Sequence, residues 1–115
     1  MFVAGAAPEL ERWLDDERVR RRQQATRAAS ALAERDATDG RLDAAVEWAR
    51  RAARLSPNDE ANHRRLIQLL AGAGDRAGAL EAYAFRERLV EDYGTEPSAE
   101  TIRLVSEVTS RCFGP

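Results

Sequence analysis

A 34-residue repeat is the feature that most restricts how this chain can fold. Each repeat is centred on a glycine that follows one stretch of helical periodicity and opens the next. Three residue pairs recur at this spacing: Leu32 and Leu66, Gly40 and Gly74, and Ala45 and Ala79. Two antiparallel helices approach closely only where small residues face each other and leucines fill the gaps. The spacing therefore predicts two stacked helix pairs. The residues expected to be buried between them are Leu32, Ala45, Leu66, Ala79 and Tyr83.

Turn signals divide the whole chain into stretches of helical length. The predicted helices span residues 8–36, 41–55, 59–72, 75–93 and 98–112. Pro8 suits a first helical turn, and Asp59 and Asp75 are suited to cap free N–H groups. On the last helix, the apolar stripe is expected to comprise Ile102, Val105, Val108 and Cys112. The apolar residues are mainly alanine and leucine, and no strand pattern is present, so the predicted fold class is all-α.

The period of 34 residues resembles that of the tetratricopeptide repeat. Tyr83 stands at the large aromatic position of the second unit, and Pro57 matches the closing proline of the first. The tryptophan position holds Ala29 in one unit and His63 in the other, so the match is partial. The resemblance implies a tetratricopeptide-like, right-handed stack of antiparallel helix pairs, with repeats at about 25–57 and 59–93. It also implies that His63 packs at a helix interface.

Four segments, taken in their order and spacing, resemble the bacterial transcriptional activator domain of SARP-type regulators. They are residues 11–18, 61–66, 73–80 and 93–101. In that family the module follows a winged-helix DNA-binding domain, and none precedes Pro8 in this sequence. Residues 1–7 are therefore expected to be a disordered or cut segment before a single domain at 8–115. We expect either an excised fragment or a module that does not contact a promoter directly.

The charge of the chain argues against nucleic-acid binding. The formal net charge is −2, whereas a surface that neutralises phosphates normally shows a basic excess. Four arginines cluster at 18–22, yet residues 9–22 contain five acidic residues and five arginines. Pairing along the helix explains this segment better than contact with DNA. Cys112 is the single cysteine and no apolar run is long enough for a membrane span, so a reducing cytoplasm is the expected location.

The inventory of side chains also argues against an enzyme. One histidine and one cysteine on separate helices supply neither a nucleophile and base nor three or four metal ligands. Gly72, Gly74 and Gly78 join two helices without a preceding strand or a lysine, which disfavours a phosphate-binding loop. We therefore predict no catalytic residues, no cofactor and no metal.

Polar side chains on the first helix of each unit are the candidate partner-binding residues. In tetratricopeptide proteins these helices line the concave wall. The positions here are Arg27, Ser30, Glu34, Arg64 and Gln68. An ordinary solvated surface is the alternative interpretation. A second face, formed by Leu10, Trp13, Leu14 and Glu17, is expected to fold onto the repeats as core, and the alternative is that Trp13 is an exposed anchor for a partner.

The family resemblance implies a regulatory interaction domain of a bacterial transcriptional activator. Its partners would be proteins: an adjacent DNA-binding domain, RNA polymerase or another regulator. A dimer of this chain stays an open alternative. The alternative is a general protein-binding scaffold with no link to transcription. A sensor for small molecules ranks last, because an alanine-rich chain has few bulky residues to shape an enclosed pocket.

Overall fold

A computed structural model of the protein describes residues 7–113, with side chains to residue 110. The described chain is a stack of helices. Its helices are α1 (Ala7–Thr38), α2 (Leu42–Leu55), α3 (Glu60–Gly72), α4 (Arg76–Ala82), α5 (Phe85–Tyr93) and α6 (Ala99–Phe113). No strand occurs within the described range, and the all-α prediction is confirmed. Residues 1–6, on which the predicted N-terminal segment mostly falls, lie outside the described range. None of the described helices has the length and apolar character needed to cross a membrane.

The two glycine turns have the same hydrogen-bond pattern. Arg41 N–H donates to Asp36 O at 2.8 Å, and 34 residues later Asp75 N–H donates to Leu70 O at 2.9 Å. The glycine between each pair has a left-handed φ, +82° at Gly40 and +84° at Gly74, which a side chain would strain. The repeat seen in the sequence is therefore a repeat of backbone geometry.

The core follows the predicted pairing, with two exceptions. Ala45 and Ala79 are both fully buried, and Leu66 is only 6% exposed. Leu32 and Tyr83, predicted to be buried, are half-buried. Leu32 belongs to α1, which ends the stack and packs chiefly on α2. Tyr83 lies in a break between two helices.

That break divides the predicted helix 75–93 into α4 and α5. Around Tyr83 and Ala84 the backbone tightens: Ala84 N–H donates to Glu81 O, and Arg86 N–H to Tyr83 O, both three residues back at 3.0 Å. The segment contains no proline or glycine after Gly78, so its sequence carries no breaking signal. The tightened turn accompanies the burial of Phe85, which is 4% exposed against α3.

The first half of α1 projects beyond the repeats. At 1.5 Å per residue, the 32 residues of α1 span about 48 Å and the 14 of α2 about 21 Å. The hydroxyls of Thr26 and Ser56, 2.8 Å apart, mark where the turn after α2 meets α1. From Pro8 to Ala25 every residue of α1 except Glu17 is exposed, although Val19, Arg22 and Gln23 still line a pocket with the turn after α2.

The expectation that Trp13 folds onto the repeats is wrong. Trp13 is 58% exposed, and Leu10 and Leu14 are exposed beside it. α1 packs through a stripe whose buried members are Thr26, Ala29, Ala33 and Asp36. Since successive residues turn by about 100°, the apolar face lies roughly 120° around the helix from that stripe. The face of Leu10, Trp13 and Leu14 is apolar, as the periodicity predicts, but it points away from the core.

α6 closes the stack by packing on α3 and α4. Ser98 N–H, just before this helix, donates to Glu60 Oε1 at 2.6 Å. Val108 is buried as predicted, whereas Ile102 is exposed and Thr101 is fully buried instead. The buried stripe is therefore shifted by one residue at its start. The side chain of Cys112 lies outside the described part.

Candidate functional site

The five predicted partner-binding residues lie on α1 and α3, and two of them link these helices. Ser30 Oγ donates to Asn62 Oδ1 at 3.3 Å. Glu34 Oε1 lies 2.5 Å from Arg65 Nε, an ion pair without hydrogen-bond alignment. Ser30 and Glu34 thus hold α1 to α3 through Asn62 and Arg65, which are not among the predicted residues, and none of the described hydrogen bonds or ion pairs joins them to Arg64 or Gln68.

Arg64 is likewise engaged inside the protein. Its Nη1 donates to Thr101 Oγ1 at 3.4 Å, and its Nη2 lies 3.7 Å from Glu100 Oε2. These contacts tie α3 to α6. Gln68 is exposed and accepts a hydrogen bond from Arg65. Arg27 is exposed and takes part in none of the ion pairs of the described residues, which leaves it as the most available member of the set.

The arginines at 18–22 include two that pair along α1, as their spacing predicts. Arg18 Nη1 lies 3.2 Å from Asp15 Oδ1, and Arg20 Nη1 lies 2.8 Å from Glu17 Oε1. Both pairs join residues three apart. Exposed pairs of this kind contribute little to stability, so they balance charge on α1 more than they hold the fold together.

A groove that the sequence analysis missed opens between α2, the start of α3, and α4–α5. Its volume is about 600 Å³. Its charged lining residues are Arg50, Arg54, Glu81 and Arg88, and the apolar ones are Ala53, Pro57, Leu66, Ala82, Ala84 and Phe85, with His63 between them. We call this the arginine groove. Arg50 and Arg54 share one face of α2 by their spacing. The approach of α5, which brings Arg88 to them, depends on tertiary packing that spacing does not record.

His63 forms the inner wall of the arginine groove and packs at a helix interface, as predicted. It is buried, and its ring stacks on Phe85 with centroids 4.4 Å apart and planes 4° from parallel. Its Nε2 lies 2.6 Å from Pro57 O, so the neutral ring donates its Nε2 proton to this carbonyl. Burial lowers the pKa of His63, which the Pro57 hydrogen bond partly offsets and the positive charge of Arg88 reinforces.

This lowered pKa makes stability depend on pH. Below about pH 6.5 the unfolded chain protonates His63 while the folded chain resists it, so the free energy of unfolding is expected to decrease as pH falls. Above that pH His63 is neutral in both states, so it no longer makes the free energy of unfolding change with pH. The slope reaches at most about 1.4 kcal/mol per pH unit for one proton. Thermal unfolding of the wild type and of His63→Gln between about pH 5 and 7 measures it. Equal slopes in both proteins would refute this assignment, since His63 is the sole histidine.

Metal-ligating side chains are scattered in the part of the chain that the structure describes. No three His, Cys, Asp or Glu residues there form a group that could hold a metal ion. His63 uses Nε2 on Pro57 and its ring face on Phe85. The histidine is therefore explained by packing.

Comparison with known proteins assigns the chain to a family. The model of the family described as bacterial transcriptional activator domain matches residues 2–109. No curated protein and no solved structure matches the chain significantly. The family match covers most of the chain, including both glycine turns and most of α6, and it agrees with the all-α stack. The chain thus belongs to the bacterial transcriptional activator domain family.

Proposed function

We propose that this domain is a non-catalytic regulatory module of a bacterial transcriptional activator and that it works in the cytoplasm by binding protein. Its partners would be an adjacent DNA-binding domain, RNA polymerase or another regulator. One observation carries the proposal of protein binding: Leu10, Trp13 and Leu14 form an exposed apolar face on a half-helix with no described partner. Exposed apolar patches mark interaction sites, and tryptophan is enriched among residues that dominate binding energy.

The polar face between α1 and α3 is a second part of this proposal. Of the five candidate residues there, Arg27 and Gln68 have side chains exposed to a partner. Ser30, Glu34 and Arg64 would act mainly by fixing the spacing of α1, α3 and α6. A partner lying along α1 from Trp13 would reach Arg27, because both residues are on the same continuous helix.

The proposal predicts that Trp13→Ala weakens activation without unfolding the domain. In a full-length regulator carrying this domain, we expect a loss of about tenfold in reporter transcription, corresponding to about 1.4 kcal/mol of binding energy. Thermal stability should change little, since Trp13 is mostly solvated. The matched control is Leu80→Ala, which removes another exposed apolar side chain, on α4. Equal activation by both variants would rule out the α1 face as the working surface.

A second pair of variants in the same assay tests the polar face. Arg27→Glu reverses an exposed charge on α1, and Arg103→Glu makes the same change on α6. A loss confined to Arg27→Glu would extend the binding surface to the α1–α3 face. Equal activation by the two variants would remove that face from the proposal and leave the surface around Trp13.

A further inference from the structure

The arginine groove concentrates positive charge on an acidic protein. Three arginines and one glutamate line it, whereas the whole chain has a formal net charge of −2. Arg50 and Arg54 reach it from α2, and Arg88 from α5. The groove is therefore a local site of positive potential.

Its arginines have no acidic partner among the ion pairs of the described residues. The seven pairs there use arginines 18, 20, 41, 64, 65 and 86. Arg54 lies in the last turn of α2, where it also complements the helix dipole. That structural reason does not cover Arg88, which lies in the middle of α5, beside the buried His63. These guanidinium groups remain available to an anionic partner.

The floor of the groove is apolar and shaped by small residues. The buried side chains of Leu66 and Phe85 form this floor, and the small lining residues Ala53 and Ala82 leave room that larger side chains would fill. Pro57, partly exposed, lies at one side. An apolar floor below arginines fits a side chain such as leucine or phenylalanine flanked by carboxylates. Three arginines are few for a duplex, whose affinity comes from many phosphate contacts, and the apolar floor adds nothing to such binding.

We propose that the arginine groove binds an acidic segment of a partner protein, which inserts one apolar side chain onto the floor while its carboxylates pair with Arg50, Arg54 and Arg88. The inference rests on the proposed function in that it takes the partner to be a protein, and it names a surface separate from the α1 face. Bidentate pairing of arginine with carboxylate gives the contact its directional specificity.

Fluorescence anisotropy with the full chain and labelled short peptides tests the proposal. The first probe has a Leu-Phe pair flanked by Asp and Glu residues. The second replaces Leu-Phe by Ser-Ser, and the third replaces the acids by Asn and Gln. We expect micromolar binding of the first probe and at least about tenfold weaker binding of the other two. Binding of the second probe as tight as the first would reduce the groove to a generic polyanion site and overturn the proposal.

Matched variants locate the binding. Arg54→Glu combined with Arg88→Glu should weaken binding of the first probe by at least about tenfold. Arg76→Glu combined with Arg103→Glu changes the net charge equally at exposed positions outside the groove and should alter affinity by less than about twofold. Equal losses in the two double variants would refute the location. Circular dichroism confirms that each variant is folded.

Glu81→Gln provides a test of the groove that leaves its arginines unchanged. Glu81→Gln removes the one acidic side chain of the groove and should tighten binding of the first probe by about twofold or more. An unchanged or weaker affinity would count against the groove. Absence of peptide binding alongside an activation defect in Trp13→Ala would overturn this inference and leave the proposed function standing. Peptide binding together with normal activation by Trp13→Ala would support this inference and remove the α1 face from the proposed function.

Discussion

Leu66→Ala is expected to lower the free energy of unfolding by about 2–5 kcal/mol. Leu66 is almost fully buried on α3 and belongs to the same core cluster as Ala45 and Ala79, the repeat-related alanines. Truncation loses the transfer free energy of the leucine side chain and leaves a cavity that neighbouring helix backbones fill only partly. Urea unfolding followed by circular dichroism measures the change.

Leu80→Ala is the matched control for this prediction. It makes the same chemical change at a side chain that is 40% exposed on α4, so its cost should be clearly smaller. A loss below about half a kcal/mol for Leu66→Ala would contradict the core described above, because that is the range of ordinary surface substitutions.

Phe85→Ala is expected to lower the free energy of unfolding by about 3–5 kcal/mol. The ring is 4% exposed, stacks on His63 and meets Tyr83 edge-on with centroids 6.0 Å apart. Its removal deletes the largest apolar side chain that lines the arginine groove and the packing that accompanies the tightened turn before it. The same unfolding measurement applies, with Phe85→Leu as a milder control that keeps most of the volume.

The pH dependence of stability is a second readout, which separates loss of the Phe85–His63 stack from a general loss of packing. Without the ring, His63 is less shielded from water, so its pKa should return toward the ordinary value and the pH dependence of stability should flatten. A pH slope in Phe85→Ala as steep as in the wild type would show that Phe85 is not what buries the histidine.

Local and repeated features of this fold were predictable from the sequence. Gly40 and Gly74 have left-handed backbones at the predicted turns, and Asp59 and Asp75 accept hydrogen bonds from Ala61 N–H and Gly78 N–H as helix caps. These outcomes depend on chain geometry within a few residues, which sequence spacing records directly.

Features that depend on what lies opposite a helix were not predictable. The spacing of Leu10, Trp13 and Leu14 correctly indicates an apolar helix face, but periodicity does not say whether anything covers it. Whether α1 has a partner there depends on the length of α2. The break at Tyr83 and Ala84 is similarly tertiary, since it accompanies the packing of Phe85 on α3. Arg88 joins Arg50 and Arg54 through the same tertiary packing, which brings α5 beside α2.

The projecting half of α1 also has a mechanical consequence. Thr26 is the first buried residue of the helix, and the 19 residues from Ala7 to Ala25 extend about 28 Å beyond it. A tilt of about 10° about Thr26 would therefore displace the far end by about 5 Å. The free arm thus amplifies small rearrangements of the repeats into movements as large as one helical turn. Anything bound near Trp13 would be repositioned by changes in packing too slight to alter the core.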